Sequence, residues 1–209
     1  MKKRIFNLLI LDESGSMCCI RKEAINSVNE TLQTIRAAEK KYEDQEHYVS
    51  FVTFHNEVKT IHDRVPACEV KDITEQDYNP DCCTALYDAM GFSLNALRPS
   101  VADNDKVVVT IVTDGMENAS HEFSGKAIKA LVDELKGKGW VFAYLGANHD
   151  VEQAAATISI TNVMQFEATS VGTSCMSEKL RFSRDRLFDK IDKDCFDANV
   201  ENMDFFSED

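Results

Sequence analysis

The 209-residue sequence predicts one α/β domain: a doubly wound, mostly parallel six-stranded sheet with one antiparallel edge strand and helices on both faces. Three observations predict it. Short, nearly continuous apolar runs such as "RIFNLLIL" (4–11) suit strands covered on both faces, as in a parallel sheet. Segments with apolar residues at intervals of three and four lie between most of these runs and mark connecting helices. At one place only "HNE" (55–57) separates two strand-like runs, which is too short for a crossover helix, so that pair must be a hairpin.

Taken in order, strand 4–11 leads to a helix over 18–38, where Ile20, Ala24, Ile25, Val28, Thr31, Leu32 and Ile35 form one stripe. "YVSFVTF" (48–54) and "VKTIHDRV" (58–65) form the hairpin, and a polar loop follows over 67–83. "TALYDAMGFSLNAL" carries Leu86, Ala89, Met90, Leu94 and Leu97 at helical spacing from Thr84 onward and stops at "RPS". "KVVVTIVT" (106–113) is a strand, 124–137 a helix, and "WVFAYLG" (140–146) the next strand. "DVEQAAATI" opens on a capping-box pattern, Asp150 with Gln153, before a short strand at 163–166 and a closing helix over 174–190. The domain is placed at 1–191, with an acidic tail at 192–209.

Composition supports a folded body: 44% of residues are hydrophobic, and only 3 Pro and 8 Gly interrupt the chain. The formal charge of −13 repels phosphate backbones and anionic lipid, so neither nucleic acid nor a membrane is an expected partner. No apolar run approaches the roughly 20 residues of a membrane span, and the N-terminal run is too short for a signal peptide. Seven cysteines, an odd number with no CxxC pair, suit a reducing cytoplasm better than a disulfide framework.

Ligands of open α/β sheets sit beyond the carboxyl ends of the strands, where strand order reverses. Three loops there are rich in oxygen: Asp12-Glu13-Ser14-Gly15-Ser16 after the first strand, Thr84 after "NPDCC", and Thr113-Asp114-Gly115 after the central strand. Each alone reads as a helix entry or a turn. Together they bring two carboxylates and three hydroxyls to one crevice, a donor set that suits a hard divalent cation.

Asp12-x-Ser14-x-Ser16, Thr84 in "CCTALYDAM" and Asp114 in "VTDGMEN" closely resemble the metal-ion-dependent adhesion site of von Willebrand factor A domains. "LGANHDVEQAA" and "VMQFEATSVG" resemble tail segments of small stand-alone bacterial and phage members, so the resemblance covers roughly residues 4–190. It implies a doubly wound, Rossmann-like sheet in which Asp12, Ser14, Ser16, Thr84 and Asp114 surround one Mg2+, with Mn2+ or Ca2+ as alternatives, some of them through water. It also implies a partner protein that supplies a Glu or Asp carboxylate to an open position, and binding without turnover.

The sequence departs from the family where "PDCC" replaces the small residues common before the matching Thr. Cys18-Cys19 and Cys82-Cys83 therefore fall near the metal rim and are read as reduced, half-buried apolar groups, with oxidative linkage of the two loops as the sharper reading. His121, His149, Asp150 and Asp81 are kept outside the core set. The tail holds seven acidic residues against Lys193, and it is expected to be solvated or folded on its own domain. A second reading puts a carboxylate from Asp204, Glu208 or Asp209 on the metal of the same or a neighbouring chain. Two competing functions stand beside metal-dependent binding: a metal-dependent hydrolase or phosphatase, and a structural subunit whose metal only stabilises the fold. Against the first, Ser14 stands where an aspartyl phosphatase of this type needs a second carboxylate, and no GxxxxGK[ST] loop is present.

Overall fold

The computed structural model describes residues 2–147 and 150–207. Six strands, β1 (Lys3–Asp12), β2 (Gln45–Phe54), β3 (Val58–Pro66), β4 (Lys106–Thr113), β5 (Trp140–Gly146) and β6 (Asn162–Gln165), form one sheet in the order β3-β2-β1-β4-β5-β6. All neighbouring pairs are parallel except β2 with β3, the hairpin expected from the short "HNE" link. Strand order reverses between β1 and β4, so the crevice beyond Asp12 and Thr113 lies at the switch point.

The helices are α1 (Arg21–Lys41), α2 (Leu86–Leu97), α3 (Gly125–Lys136), α4 (Val151–Thr157), α5 (Ser170–Asp192) and α6 (Ala198–Asp204). Alternate strand residues feed two cores. Ile5, Leu9 and Leu11 pack under α1 and α5 through Ile35, Leu180 and Leu187, while Phe6, Leu8 and Ile10 pack under α2, α3 and α4 through Leu94, Val132 and Ala155. Because β1 is buried on both faces, its apolar run has no polar alternation. Each fully buried Leu or Ile in these layers contributes roughly 1.5–3 kcal/mol.

Two boundaries differ from the sequence reading for reasons that bear on the site. A 3-10 turn, Gly15–Ile20, precedes α1, so the first loop enters its helix through a tighter turn than the apolar stripe implied. Helix α2 starts at Leu86, not at Thr84. Its first free amides are capped from a distant loop, with Tyr87 N–H donating to Glu117 Oε2 (2.9 Å) and Asp88 N–H to Ser120 Oγ (3.0 Å), and Thr84 lies outside the helix, beside Gly115.

The acidic tail folds on the body. Strand β6 pairs only with the second half of β5, and the Asn202 carboxamide of α6 completes the first half. It accepts from Phe142 N–H (3.0 Å) and donates to Trp140 O (2.7 Å), and Phe205 beside it is fully buried. Glu201, also buried, pairs with Lys190 at 2.5 Å. Asp204 thus lies at the end of the sheet opposite the crevice, while Glu208 and Asp209 fall outside the described residues.

Candidate metal centre

Strand β1 delivers Asp12 at its last position, and the chain turns at once because Ser14 N–H donates back to Asp12 Oδ1 (2.7 Å). This turn points both serines inward: Ser14 Oγ and Ser16 Oγ are 3.2 Å apart, and Ser16 Oγ donates to Asp114 Oδ1 at 2.5 Å. From β4, Thr113 Oγ1 donates to the other Asp12 oxygen, Oδ2, at 2.5 Å, and also accepts Gly115 N–H. Asp12, Ser14, Ser16 and Asp114 therefore form one connected cluster.

Thr84 reaches the cluster on a strap, residues 78–85, stitched across the first loop. Tyr78 Oη donates to Asp12 O (2.7 Å), Asn79 N–H to Glu13 Oε1 (2.5 Å), Asp81 N–H to Glu13 O (2.8 Å), and Gly15 N–H to Cys82 O (3.2 Å). At its far end Cys83 N–H donates to Asn56 Oδ1 and Thr84 N–H to Asn118 Oδ1. The strap bends at Cys82, whose φ of 62° is unusual for a side-chain-bearing residue and is supported by Asp81 Oδ1 accepting its N–H.

Gly115 shows what these contacts enclose. A Cβ at that position would lie 3.0 Å from Thr84 Oγ1, 3.8 Å from Asp12 Oδ2 and 3.9 Å from Ser16 Oγ. The missing side chain lets the Thr84 hydroxyl come close to the third loop's backbone, beside oxygens of the first loop. Burial pushes the Asp12 carboxyl up to about 6, and the like charge of Asp114 adds to the shift, while the hydrogen bonds from Thr113 and Ser14 oppose it. The Tyr78 phenol is likewise raised, by burial and then by Asp12, Glu13 and Asp114, so it stays protonated and donates. The crevice is a buried region of negative potential. Its donors are all oxygen, with two carboxylates, and among the described residues no group of three or more His, Cys, Asp or Glu side chains is disposed to hold a metal. Any cation there depends on the hydroxyls as well.

Alignments of fold report the same architecture. The chain superposes on the vWF domain of the type V pili tip protein Mfa5 from Porphyromonas gingivalis with a TM-score of 0.63 at 9% identity, covering 87% of this chain and 96% of that one. It superposes on a von Willebrand factor type A protein from Catenulispora acidiphila with a TM-score of 0.59 at 13% identity, covering 86% of this chain and 42% of that one. The chain has a von Willebrand factor A-like fold. The same domain shape recurs in the pilus adhesin SpaC from Lactobacillus rhamnosus GG, at a TM-score of 0.63, 11% identity and coverage of 86% of this chain and 30% of that one. No protein-family model and no curated protein matches the sequence.

Within this A-like domain, the reading of the cysteines is corrected, while Asp81, Asp150 and His121 stay outside the cluster as expected. Cys18, Cys19, Cys82 and Cys83 are exposed and unpaired, not half-buried apolar groups; Cys18 Sγ donates to Pro80 O and Cys19 Sγ to Ser16 O, so they edge the crevice mouth. Asp81 turns the strap, and Asp150 caps α4 by accepting Gln153 N–H at 3.0 Å. His121 N–H is tied to Asp88, away from the donor cluster, and His149 lies outside the described residues. Sequence reasoning missed the supports: Thr113, Glu13, Asn118 and Glu117 hold the donors without being among them. The only signal for them was adjacency to the motif residues, since their partners are distant in sequence.

Proposed function

We propose that this chain is a protein-interaction module that holds a divalent cation, Mg2+ foremost, between Asp12, Ser14, Ser16, Thr84 and Asp114, and presents it to a Glu or Asp carboxylate of a partner protein. The observation that carries the proposal is the convergence on Gly115, itself in the third loop, of Asp12 and Ser16 oxygens from the first loop and the Thr84 hydroxyl from the strap. A bound divalent ion would supply positive charge that two carboxylates balance only to neutrality, leaving it able to attract a third. The chain's own groups do the rest. Thr113 and the Ser14 amide orient Asp12, Ser16 positions Asp114, and the stitched strap fixes Thr84. Proteins of similar fold include a pili tip protein and a pilus adhesin, which supports adhesion over turnover. Ser14, a hydroxyl 3.2 Å from Ser16 Oγ, stands where a hydrolase of this type would need its acid-base carboxylate.

Among the described residues no helix is long and apolar enough to cross a membrane. Seven exposed, unpaired thiols support a reducing compartment such as the cytoplasm.

Titration calorimetry of Mg2+ into wild type and into a variant with Asp12→Ala and Ser14→Ala tests the reading. Saturable heat in wild type, lost in the variant, is expected; equal heats in the two proteins would overturn it. Gly115→Ala puts a methyl group against the Thr84 hydroxyl and is expected to abolish the same heat while the fold is retained.

A further inference from the structure

A groove of about 570 Å³ runs beside the crevice, between the start of β3, α2 and the loop at 121–122. Its walls combine two features. Glu57, Asp88 and Glu122 give it negative charge, and no Lys or Arg lines it among the described residues. Lys59, between Val58 and Thr60, faces the opposite side of the sheet because strand residues alternate. The floor is apolar: Val58 packs against the α2 core, and Phe92, 47% exposed, stands edge-on to Phe123 at 5.3 Å. Gly91 allows that aromatic pair to form, since a Cβ there would run into the Phe123 ring.

A third observation points to a ligand. Ser93 lines the groove, is 7% exposed, and its hydroxyl has no hydrogen-bond partner among the described residues. A buried hydroxyl without a partner is destabilising unless something supplies one. An apolar floor, a negatively charged rim and a waiting acceptor match the stem and head of a long basic side chain.

The groove and the crevice share a wall. Asn56, next to Glu57, accepts the N–H of Cys83, the residue before Thr84, and Asp88 accepts the amides of His121, Glu122 and Phe123 in the loop that follows Asp114. One short segment could span both.

We infer that the groove formed by Val58, Phe92 and Ser93 with Glu57 and Glu122 receives a Lys or Arg side chain of the same partner segment that brings the carboxylate to the crevice. This rests on the metal-bridged reading above. The partner segment is therefore mixed in charge, with an acidic and a basic residue close in sequence, and not simply acidic. Asp88 contributes charge only, since its oxygens are already taken by three backbone amides.

The test uses the full chain with saturating Mg2+ at neutral pH and acetylated, amidated peptides carrying one Glu and one Lys at varied spacing. Control peptides replace the Lys by Met, which keeps an unbranched stem without the charge. Amide chemical shifts report both affinity and location. The Glu/Lys peptide of best spacing is expected to bind about fivefold tighter than its Met control, the gain of two exposed ion pairs, and to shift Val58 and Ser93 signals. Glu57→Gln with Glu122→Gln should erase that preference while Mg2+ affinity and binding of the Met control stay unchanged. If the Met control binds only with Mg2+ but Lys adds nothing, or if the preference survives the double substitution, the groove assignment fails and the crevice reading stands. If no peptide binds in a Mg2+-dependent way, the crevice reading fails and the groove assignment with it.

Discussion

Strands β1 and β4 carry two buried polar clusters, and their chemistry is opposite. At the carboxyl ends lies the crevice, where burial, and to a lesser degree the like charge of Asp114, raises the Asp12 carboxyl to about 6. Midway along the same strands, on the face under α5, Arg184 is fully buried: one terminal nitrogen donates to Asn7 Oδ1 (3.1 Å) and the other to Thr110 Oγ1 (2.6 Å). Burial alone lowers its guanidinium to about 10, with no carboxylate acting on it. His47 and Gln45 continue this row on β2, joined at 3.0 Å, and Gln45 donates to Phe188 O of α5. The inner cluster is closed by groups of its own chain, whereas the outer one opens at the strand ends and gathers charge of one sign. Buried charge in the inner layer ties α5 to the sheet; buried charge at the switch point is what the proposed cation would neutralise.

Arg184→Ala should show the largest effect, about 3–5 kcal/mol of stability lost, because it opens a cavity and strands the Asn7 and Thr110 acceptors. Urea unfolding measures it. Mg2+ heats per folded molecule should be unchanged; if they vanish as well, the two clusters are coupled along β1 and β4 and the contrast breaks. Thr113→Val comes next and acts at the outer cluster. Removing the hydroxyl that orients Asp12 should weaken Mg2+ about 10–100-fold, or about 1.4–2.7 kcal/mol, with Thr113→Ser restoring it. A Val variant that binds Mg2+ as wild type does would mean that Asp12 needs no second support.

The two clusters also differ in how far they could be read from sequence. Asp12, Ser14, Ser16 and Asp114 of the outer cluster were legible because each is local: a residue at a strand end, spaced two apart or next to a glycine, carries its own signal. The strands were legible for the same reason, since burial on both faces writes a continuous apolar run. Arg184 was not legible, because on α5 it reads as one more polar helix residue, and only the sheet beneath it, at Asn7 and Thr110, makes it internal. Asn202 was hidden in the same way: an amide in an acidic tail looks solvated until β5 is seen to have no β6 partner over Trp140–Phe142. Thr84 was read as a helix start because Thr is a good cap, whereas Glu117 and Ser120 cap the helix from a loop no local pattern could indicate.

The smallest effect sharpens the comparison through pH. Burial, and then the positive charge of Arg184, push His47 down to about 3, against an ordinary value near 6.5. Above 6.5 the ring is neutral in both folded and unfolded chains and contributes no pH dependence. As pH falls from 6.5 toward 3 the unfolded chain takes up a proton that the folded chain refuses, so stability falls by about 1.4 kcal/mol per pH unit from this group. Asp12 acts in the opposite sense over part of the same range, because its folded carboxyl binds a proton more readily than the unfolded one and loses that advantage as pH rises. The measurement is therefore a difference: urea midpoints of wild type and His47→Gln at a series of pH values, both free of divalent ions, so that Asp12 contributes equally to each. The wild type should lose stability faster on acidification, with the two curves parallel above pH 6.5. Parallel curves throughout would mean that the folded protein admits a second cation beside Arg184, and that the inner cluster is not sealed.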